Sequence, residues 1–314
     1  MTRILFYLEE YSHDIWRDAF HAIDPTIDFR SYPDWGDPEN TTEDTYSLVW
    51  QPKPGLLKEY SGSKVTFSIG AGIDHIMRDP NLPDHIPIVR MADDGLKEGM
   101  AEFVVMSVLM LHRGMVDLID AQSRKHWARI FAPAASSINV GIMGYGALGQ
   151  KCAAALKPLG YKINSWSTSP KAAEDGVTHY QGMAGLEDFL ANTNILVGIL
   201  PNTQETTGLL NMETLQNLPK RASIINAGRG NLIVIDDLIK QLDLKHLSGA
   251  ILDVFEEEPV DKAHPLWEHP KILITPHIAA VTRPKTAAEY VLRNIENYKN
   301  GRPLENVLDL KRGY

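Results

Sequence analysis

The stretch Ile138-Asn139-Val140-Gly141-Ile142-Met143-Gly144-Tyr145-Gly146-Ala147-Leu148-Gly149 decides the fold. Ile138 to Met143 is a mostly apolar run of strand length, and an Ala-rich helical run follows from Ala147 to about Leu159, where Pro158 and Gly160 end it. Between the two, Gly144, Gly146 and Gly149 stand in the spacing G-x-G-x-x-G. Each glycine has a physical task in a strand-turn-helix setting. Gly144 allows the tight turn, Gly146 lets backbone approach a pyrophosphate, and Gly149 lets the helix pack close to the strand. The helix N-terminus then offers unpaired N–H donors and its positive dipole end to the anion. A glycine-rich turn without a ligand is the plainer alternative, and the strand-turn-helix context favours a dinucleotide site.

Outward from this stretch, short apolar runs recur at Arg3–Tyr7, Ser47–Trp50, Val65–Ile69, Ile88–Met91, Lys162–Trp166, Ile195–Leu200, Ser223–Asn226, Ala250–Val254 and Ile272–Thr275. Runs apolar on both faces, separated by helix-length segments, predict parallel sheets covered by helices, because parallel neighbours need a crossover. The class is α/β. Gly99 to Ile119 reads as one helix, apolar on nearly every face and therefore buried between domains or against another subunit. A last helix shows in the spacing of Ala288, Val291, Leu292, Ile295 and Tyr298, with Pro284 near its start and Gly301 after its end. Ser31 to Thr45, rich in turn formers, reads as a surface loop.

A chain of 314 residues with 44% hydrophobic and 23% charged residues is globular and long enough for two domains. With 31 Lys and Arg against 40 Asp and Glu, a net charge of −9 gives no basic stripe for nucleic acid, and no nucleic-acid partner is expected. The longest nearly apolar run, Phe103 to Leu111, is far shorter than the roughly 18 residues of a spanning helix. No membrane association is expected, and no metal site. The lone Cys152 forms no internal disulfide and the N-terminal run MTRILFYLEE lacks leader features, so the expected compartment is the cytoplasm.

The strand after the glycine cradle should end in a carboxylate where NAD is the cofactor, to bind the adenosine ribose. Here Trp166 is followed by Ser167-Thr168-Ser169-Pro170-Lys171. Hydroxyls and a lysine donate to a 2′-phosphate that a carboxylate would repel, so NADP(H) is the expected preference, with NAD(H) use left open. Ser167→Asp is expected to move the preference toward NADH. A capped, solvated turn is the competing reading of the same residues.

Three polar residues follow successive candidate strands, where open parallel sheets bind ligands: Arg229, Glu258 and His277. Reduction of a 2-oxo acid needs a cation on the carboxylate, a proton donor for the developing alkoxide and a partner that favours the donor's charged form. Arginine, histidine and glutamate supply these in that order. Taken singly, each has an ordinary structural or surface role, and their joint placement behind the cradle singles them out.

Over nearly its full length the chain resembles the D-isomer-specific 2-hydroxyacid dehydrogenases, in SIGAGIDHI, VGIMGYGALG, LPNTQETTGLLN, INAGRGNLI, LDVFEEEPV and HPLWEHPKILITPHIAA. LVWQP near residue 50 and PHIAAVTRP after His277 look like the glyoxylate/hydroxypyruvate reductase A branch. The resemblance implies two Rossmann-like doubly wound domains, the coenzyme domain (98–283) inserted into a substrate domain (1–97 and 284–314). It places Arg229, Glu258 and His277 on the family's catalytic Arg, Glu and His. It implies Ala147 and Leu148 at the pyrophosphate, Leu200, Pro201 and Thr206 near the adenosine, Ala227 and Gly228 beside the nicotinamide, and Asp253 toward its amide. Gly70, Ala71 and Gly72 would hold the substrate carboxylate through backbone N–H groups, Trp50 would wall the pocket and Arg283 would reach it. A homodimer through the long apolar helix is also implied. The expected activity is NADPH-dependent reduction of glyoxylate and hydroxypyruvate. A dehydrogenase of bulkier acids such as phenylpyruvate, and a non-catalytic dinucleotide-sensing protein, are the rivals; formate dehydrogenases are disfavoured because they place Gln where Glu258 stands.

Overall fold

The computed structural model describes residues 1–9, 12–38 and 44–309. The chain forms two compact units, one of Met1–Leu96 with Val281–Tyr314 and the other of Lys97–Ala280. In the first, strands β1 (Arg3–Tyr7), β2 (Asp28–Ser31), β3 (Thr45–Val49), β4 (Thr66–Ser68) and β5 (Ile88–Val89) make one parallel sheet in the order β2-β1-β3-β4-β5. Helices α1 (His13–His21), α2 (Leu56–Glu59) and α3 (Asp74–Met77) lie in its connections. Helices α4 (Asp94–His112) and α5 (Met115–Ser123) follow.

The second unit carries strands β6 (Asn139–Met143), β7 (Lys162–Ser167), β8 (Val177–Gln181), β9 (Ile195–Gly198), β10 (Ala222–Asn226), β11 (Leu247–Leu252) and β12 (Ile272–Ile274). Its helices are α6 (Ala147–Leu156), α7 (Leu186–Ala191), α8 (Met212–Gln216) and α9 (Ile235–Asp243). All seven strands are parallel, in the order β12-β11-β10-β9-β6-β7-β8. The chain winds outward from β6 in one direction and from β9 in the other, so a crevice opens at the carboxyl ends of β6 and β9. The closing helix α10 (Pro284–Lys299) returns to the first unit.

Four departures from the sequence reading have plain causes. Strands β2 and β8 were not expected; both are sheet edges, half-solvated, and their residues DFRS and VTHYQ mix polar with apolar. The single helix expected over Gly99–Ile119 starts earlier, where the Asp93 carboxylate accepts from the Gly95 N–H at 3.0 Å, and breaks at Gly114, whose φ is +69°. The stretch Ser31–Thr45 is not simply surface. Trp35 within it is buried, and its indole donates to the Phe6 carbonyl at 3.0 Å. Residues 39–43 of that stretch, and 310–314 of the expected substrate domain, lie outside the described residues. Finally, β9 and β11 end at Gly198 and Leu252, which leaves Leu200 and Asp253 in the loops rather than in the sheet.

Candidate active site

The glycine cradle separates what the protein itself requires from what a ligand requires. A Cβ at Gly149 would land on the Gly144 carbonyl oxygen, so this glycine is needed for α6 to lie against β6. Gly144 has φ +99°, and a Cβ there would strike the Ile199 carbonyl. At Gly146, in contrast, a Cβ meets nothing within 4 Å, and its φ of −85° suits any residue. No protein atom requires the glycine at 146, and the space beside it is open to a ligand. Gly146 and Ala147 are exposed and Leu148 half-exposed, and no side chain caps α6. The first-turn N–H groups are therefore open to an anion, which fits the pyrophosphate of a dinucleotide.

The loop beyond β7 is closed by the last residue of that strand. Ser167 is 8% exposed and spends its hydroxyl proton on the Ser169 carbonyl at 2.8 Å. This bond shapes the turn, and a hydroxyl proton can rotate to another acceptor. Thr168 and Ser169 are exposed and Lys171 half-exposed. Beyond β9, Thr206 Oγ donates to the Pro201 carbonyl at 2.7 Å and accepts from the Thr203 N–H at 2.9 Å. Thr206 and Leu200 are buried, so both shape this turn from within.

Loops after β10, β11 and β12 bring the three reacting candidates to one edge of the sheet. Asn226 ends β10 and turns the chain: its Oδ1 accepts from the Gly228 N–H at 3.2 Å and its Nδ2 donates to the Arg229 carbonyl at 2.9 Å. Arg229 Nη1 donates to the Gly228 carbonyl at 2.7 Å. A Cβ at Gly228 would crowd the Leu200 backbone at 2.8 Å, and one at Gly230 would overlap the backbone of Phe255 and Glu256. The loops bearing Arg229 and Glu258 are consequently in direct main-chain contact. Ala227, also buried, donates its N–H to the Gly198 carbonyl at 3.0 Å.

Glu258 is fixed at both oxygens. Oε1 accepts from the Phe255 N–H at 2.8 Å, and Oε2 lies 2.7 Å from His277 Nδ1. A carboxylate only accepts, so Nδ1 carries the proton of that bond and Nε2 is left to exchange a proton with a ligand. His277 has φ +54°, an unusual backbone for a residue with a side chain. Asp253 holds it there. Its Oδ1 accepts from Thr275 Oγ at 2.5 Å and the Ile278 N–H at 2.9 Å, and its Oδ2 from the Ala279 N–H at 2.8 Å. Asp253 is 1% exposed, and its carboxylate organises the turn that carries His277. Asn226 and Asp253 as loop organisers escaped the sequence reading, although Asn-x-Gly at a strand end is itself a turn signal.

In the first unit, the Gly70–Gly72 loop follows β4. Among the described residues, no group accepts from the N–H groups of Gly70, Ala71 or Gly72. Adjacent unpaired N–H groups form a small anion-binding concavity. The Trp50 ring covers Gly70 so closely that a Cβ there would overlap it, and its centroid lies 4.2 Å from that of the His75 ring, the two planes tilted by 53°. Arg283, just before α10, lines a surface groove with Ile15 and Ala19 of α1 and with Ile23 beyond it. Among the described residues there is no cluster of metal-ligating side chains.

Comparisons with known proteins agree with this geometry. Residues 105–279 match the family described as D-isomer specific 2-hydroxyacid dehydrogenase, NAD binding domain. The chain is 36% identical, over 99% of both chains, to a protein of Enterobacter sp. (strain 638) named glyoxylate/hydroxypyruvate reductase A. A D-isomer specific 2-hydroxyacid dehydrogenase of Xanthobacter autotrophicus Py2, solved with NADPH and MES, superposes with a TM-score of 0.93 at 36% identity, covering 100% of this chain and 99% of that one. An NADPH-dependent glyoxylate/hydroxypyruvate reductase of Sinorhizobium meliloti, solved with NADP and sulfate, gives 0.91 at 34% identity with both chains covered in full. A dinucleotide cradle, an Arg-Glu-His constellation on successive strand ends and this full-length likeness together place the chain in the D-isomer-specific 2-hydroxyacid dehydrogenase family.

Proposed function

We propose that this protein reduces small 2-oxo acids with NADPH, taking glyoxylate to glycolate and hydroxypyruvate to D-glycerate. The observation that carries the reading is the His277–Glu258 pair at 2.7 Å, in the same unit as a glycine cradle whose Gly146 borders open space. The named activities of the similar reductases support the substrates, and NADPH or NADP in their solved structures supports the cofactor.

The dinucleotide, when bound, supplies a hydride to the carbonyl carbon. His277 gives the Nε2 proton to the carbonyl oxygen, and Glu258 orients the ring by accepting the Nδ1 proton. The Arg229 guanidinium grips the carboxylate and polarises the carbonyl, and Asp253 holds the His277 loop. Gly70, Ala71 and Gly72 are assigned the substrate carboxylate through their N–H groups, Trp50 the pocket wall, and Arg283 a peripheral contact. Gly144, Gly146, Ala147, Leu148 and Gly149 are assigned the pyrophosphate, Leu200, Pro201 and Thr206 the adenosine side, and Ala227 and Gly228 the nicotinamide side. Thr168, Ser169 and Lys171 receive the 2′-phosphate, with Ser167 shaping their turn. The unit 97–280 is accordingly the coenzyme domain, inserted into the substrate domain.

We also infer a cytoplasmic homodimer. Met106 and Leu109 of α4, Met115 and Ile119 of α5, and Trp127 and Phe131 beyond them are exposed apolar side chains, the last two at 88%, and a second copy would cover them. Light scattering of the purified protein tests this, a monomer at micromolar concentration being the contrary result.

Oxidation of NADPH and NADH with glyoxylate, hydroxypyruvate, pyruvate and phenylpyruvate, assayed side by side, tests the activity. Rapid NADPH use with the first two is expected. Preferential turnover of phenylpyruvate would change the substrate, and tight dinucleotide binding without turnover of any acid would overturn the catalytic reading.

A further inference from the structure

The loop 168–176 between β7 and β8 carries Thr168, Ser169 and Lys171, and one carboxylate ties down its far end. Glu174 Oε2 accepts from the Tyr145 hydroxyl at 2.8 Å, and Oε1 accepts from Lys157 Nζ at 2.7 Å. Lys157 also donates to the Asp175 carbonyl at 3.0 Å. Tyr145 stands between Gly144 and Gly146 of the phosphate cradle, and Lys157 directly follows α6. The acidic side chain therefore links the loop to the two elements that would receive the pyrophosphate.

The anchor is stiff. Tyr145 is buried, its ring meets the His179 ring edge-on at 5.2 Å, and His179 Nδ1 lies 2.6 Å from Ser165 Oγ. His179 belongs to β8 and Ser165 to β7, so the clamp rests on the sheet itself. The near end of the loop is fixed separately, by Ser167 on the Ser169 carbonyl. Hydrogen bonds from Lys157 and Tyr145 outweigh burial and hold the Glu174 carboxyl below its ordinary range, while burial and then Glu174 push the Tyr145 phenol well above its own. Glu174 is thus ionised near neutral pH with its charge matched by Lys157, which matters in a loop that must accept a phosphate dianion.

We propose that Glu174 is a positioning residue for NADPH selectivity, clamping the 168–176 loop to Tyr145 and Lys157 so that Thr168, Ser169 and Lys171 stand ready for the 2′-phosphate. The inference rests on the NADPH reading given above. NADH lacks that phosphate, so its binding does not draw on the clamp.

Steady-state kinetics of the full chain with glyoxylate, varying NADPH or NADH, test the clamp. Glu174→Ala is expected to raise the KM for NADPH about fivefold, the effect of loosening one charged contact, with kcat and the KM for NADH little changed. Glu174→Gln, which keeps an acceptor for Tyr145, should recover part of the loss. A parallel rise in both KM values, or no rise, overturns the proposal, since a merely structural role would not distinguish the cofactors. Lys171→Ala separates this failure from failure of the NADPH reading. If Lys171→Ala abolishes the preference and Glu174→Ala does not, the clamp alone is wrong. If the unaltered protein shows no preference for NADPH, the cofactor reading and the clamp fall together.

Discussion

His277 Nδ1 and Glu258 Oε2 stand 2.7 Å apart, and the other Glu258 oxygen is held by the Phe255 N–H, so the carboxylate cannot turn away without losing a main-chain bond. Glu258→Gln preserves the shape and removes the carboxylate that accepts the His277 Nδ1 proton. The kcat for glyoxylate reduction at neutral pH is expected to fall about 10²-fold. Dinucleotide affinity, followed by fluorescence titration, should hold. A kcat within about threefold of the unaltered protein would remove Glu258 from the proton-transfer step.

Arg229 lends itself to a sharper substitution than alanine. Arg229→Lys keeps the positive charge and loses the planar fork that pairs with a carboxylate. We expect a higher KM for the acid and a lower kcat together, with kcat/KM down about 10²-fold, because one side chain serves both bound substrate and transition state. Unchanged kinetics in the lysine variant would mean that charge alone matters at this position.

The cradle glycines should fail in two different ways. Gly149→Ala forces a methyl group onto the Gly144 carbonyl and is expected to destabilise the unit by about 2 kcal/mol or more, read as a lower melting temperature. Gly146→Ala meets no protein atom, so the melting temperature should stay put while the KM for the dinucleotide rises. Equal thermal losses in both variants would contradict the assignment of Gly146 to the ligand.

A pH-dependent contribution lies in the first unit. Burial alone would push the Asp28 carboxyl up, yet hydrogen bonds and charges from Arg30 and Arg3 outweigh it and leave the group below its ordinary range. A depressed carboxyl stabilises the fold above the unfolded value of about 4 and loses that contribution as pH falls through the folded value. Asp28→Asn should therefore cost about 1 kcal/mol in urea unfolding at about pH 7 and much less at about pH 3. A cost independent of pH would point to shape rather than charge.

How much the sequence revealed depended on how local each cause is. The cradle is legible because its three glycines stand between a strand and a helix that are adjacent in sequence, and Arg229, Glu258 and His277 because each lies a few residues beyond an apolar run. Trp35 is not, since its partner is the Phe6 carbonyl, 29 residues away. Glu174 reads as part of a solvated acidic turn until Tyr145, equally distant along the chain, is seen to reach it. Residue type alone does not show that the Ser167 hydroxyl meets the Ser169 carbonyl.

Gly230 has a consequence for redesign. With its main chain pressed against Phe255 and Glu256, the guanidinium-bearing turn and the carboxylate-bearing turn move as a single mechanical part. An insertion in 255–258 would shift Arg229 along with Glu258, and a side chain at 230 would pry the pair apart. This wall has a fixed gauge, and enlarging the accepted acid by remodelling it would disturb proton transfer and carboxylate grip in the same stroke. Segments outside this part are where the chain has freedom to diversify.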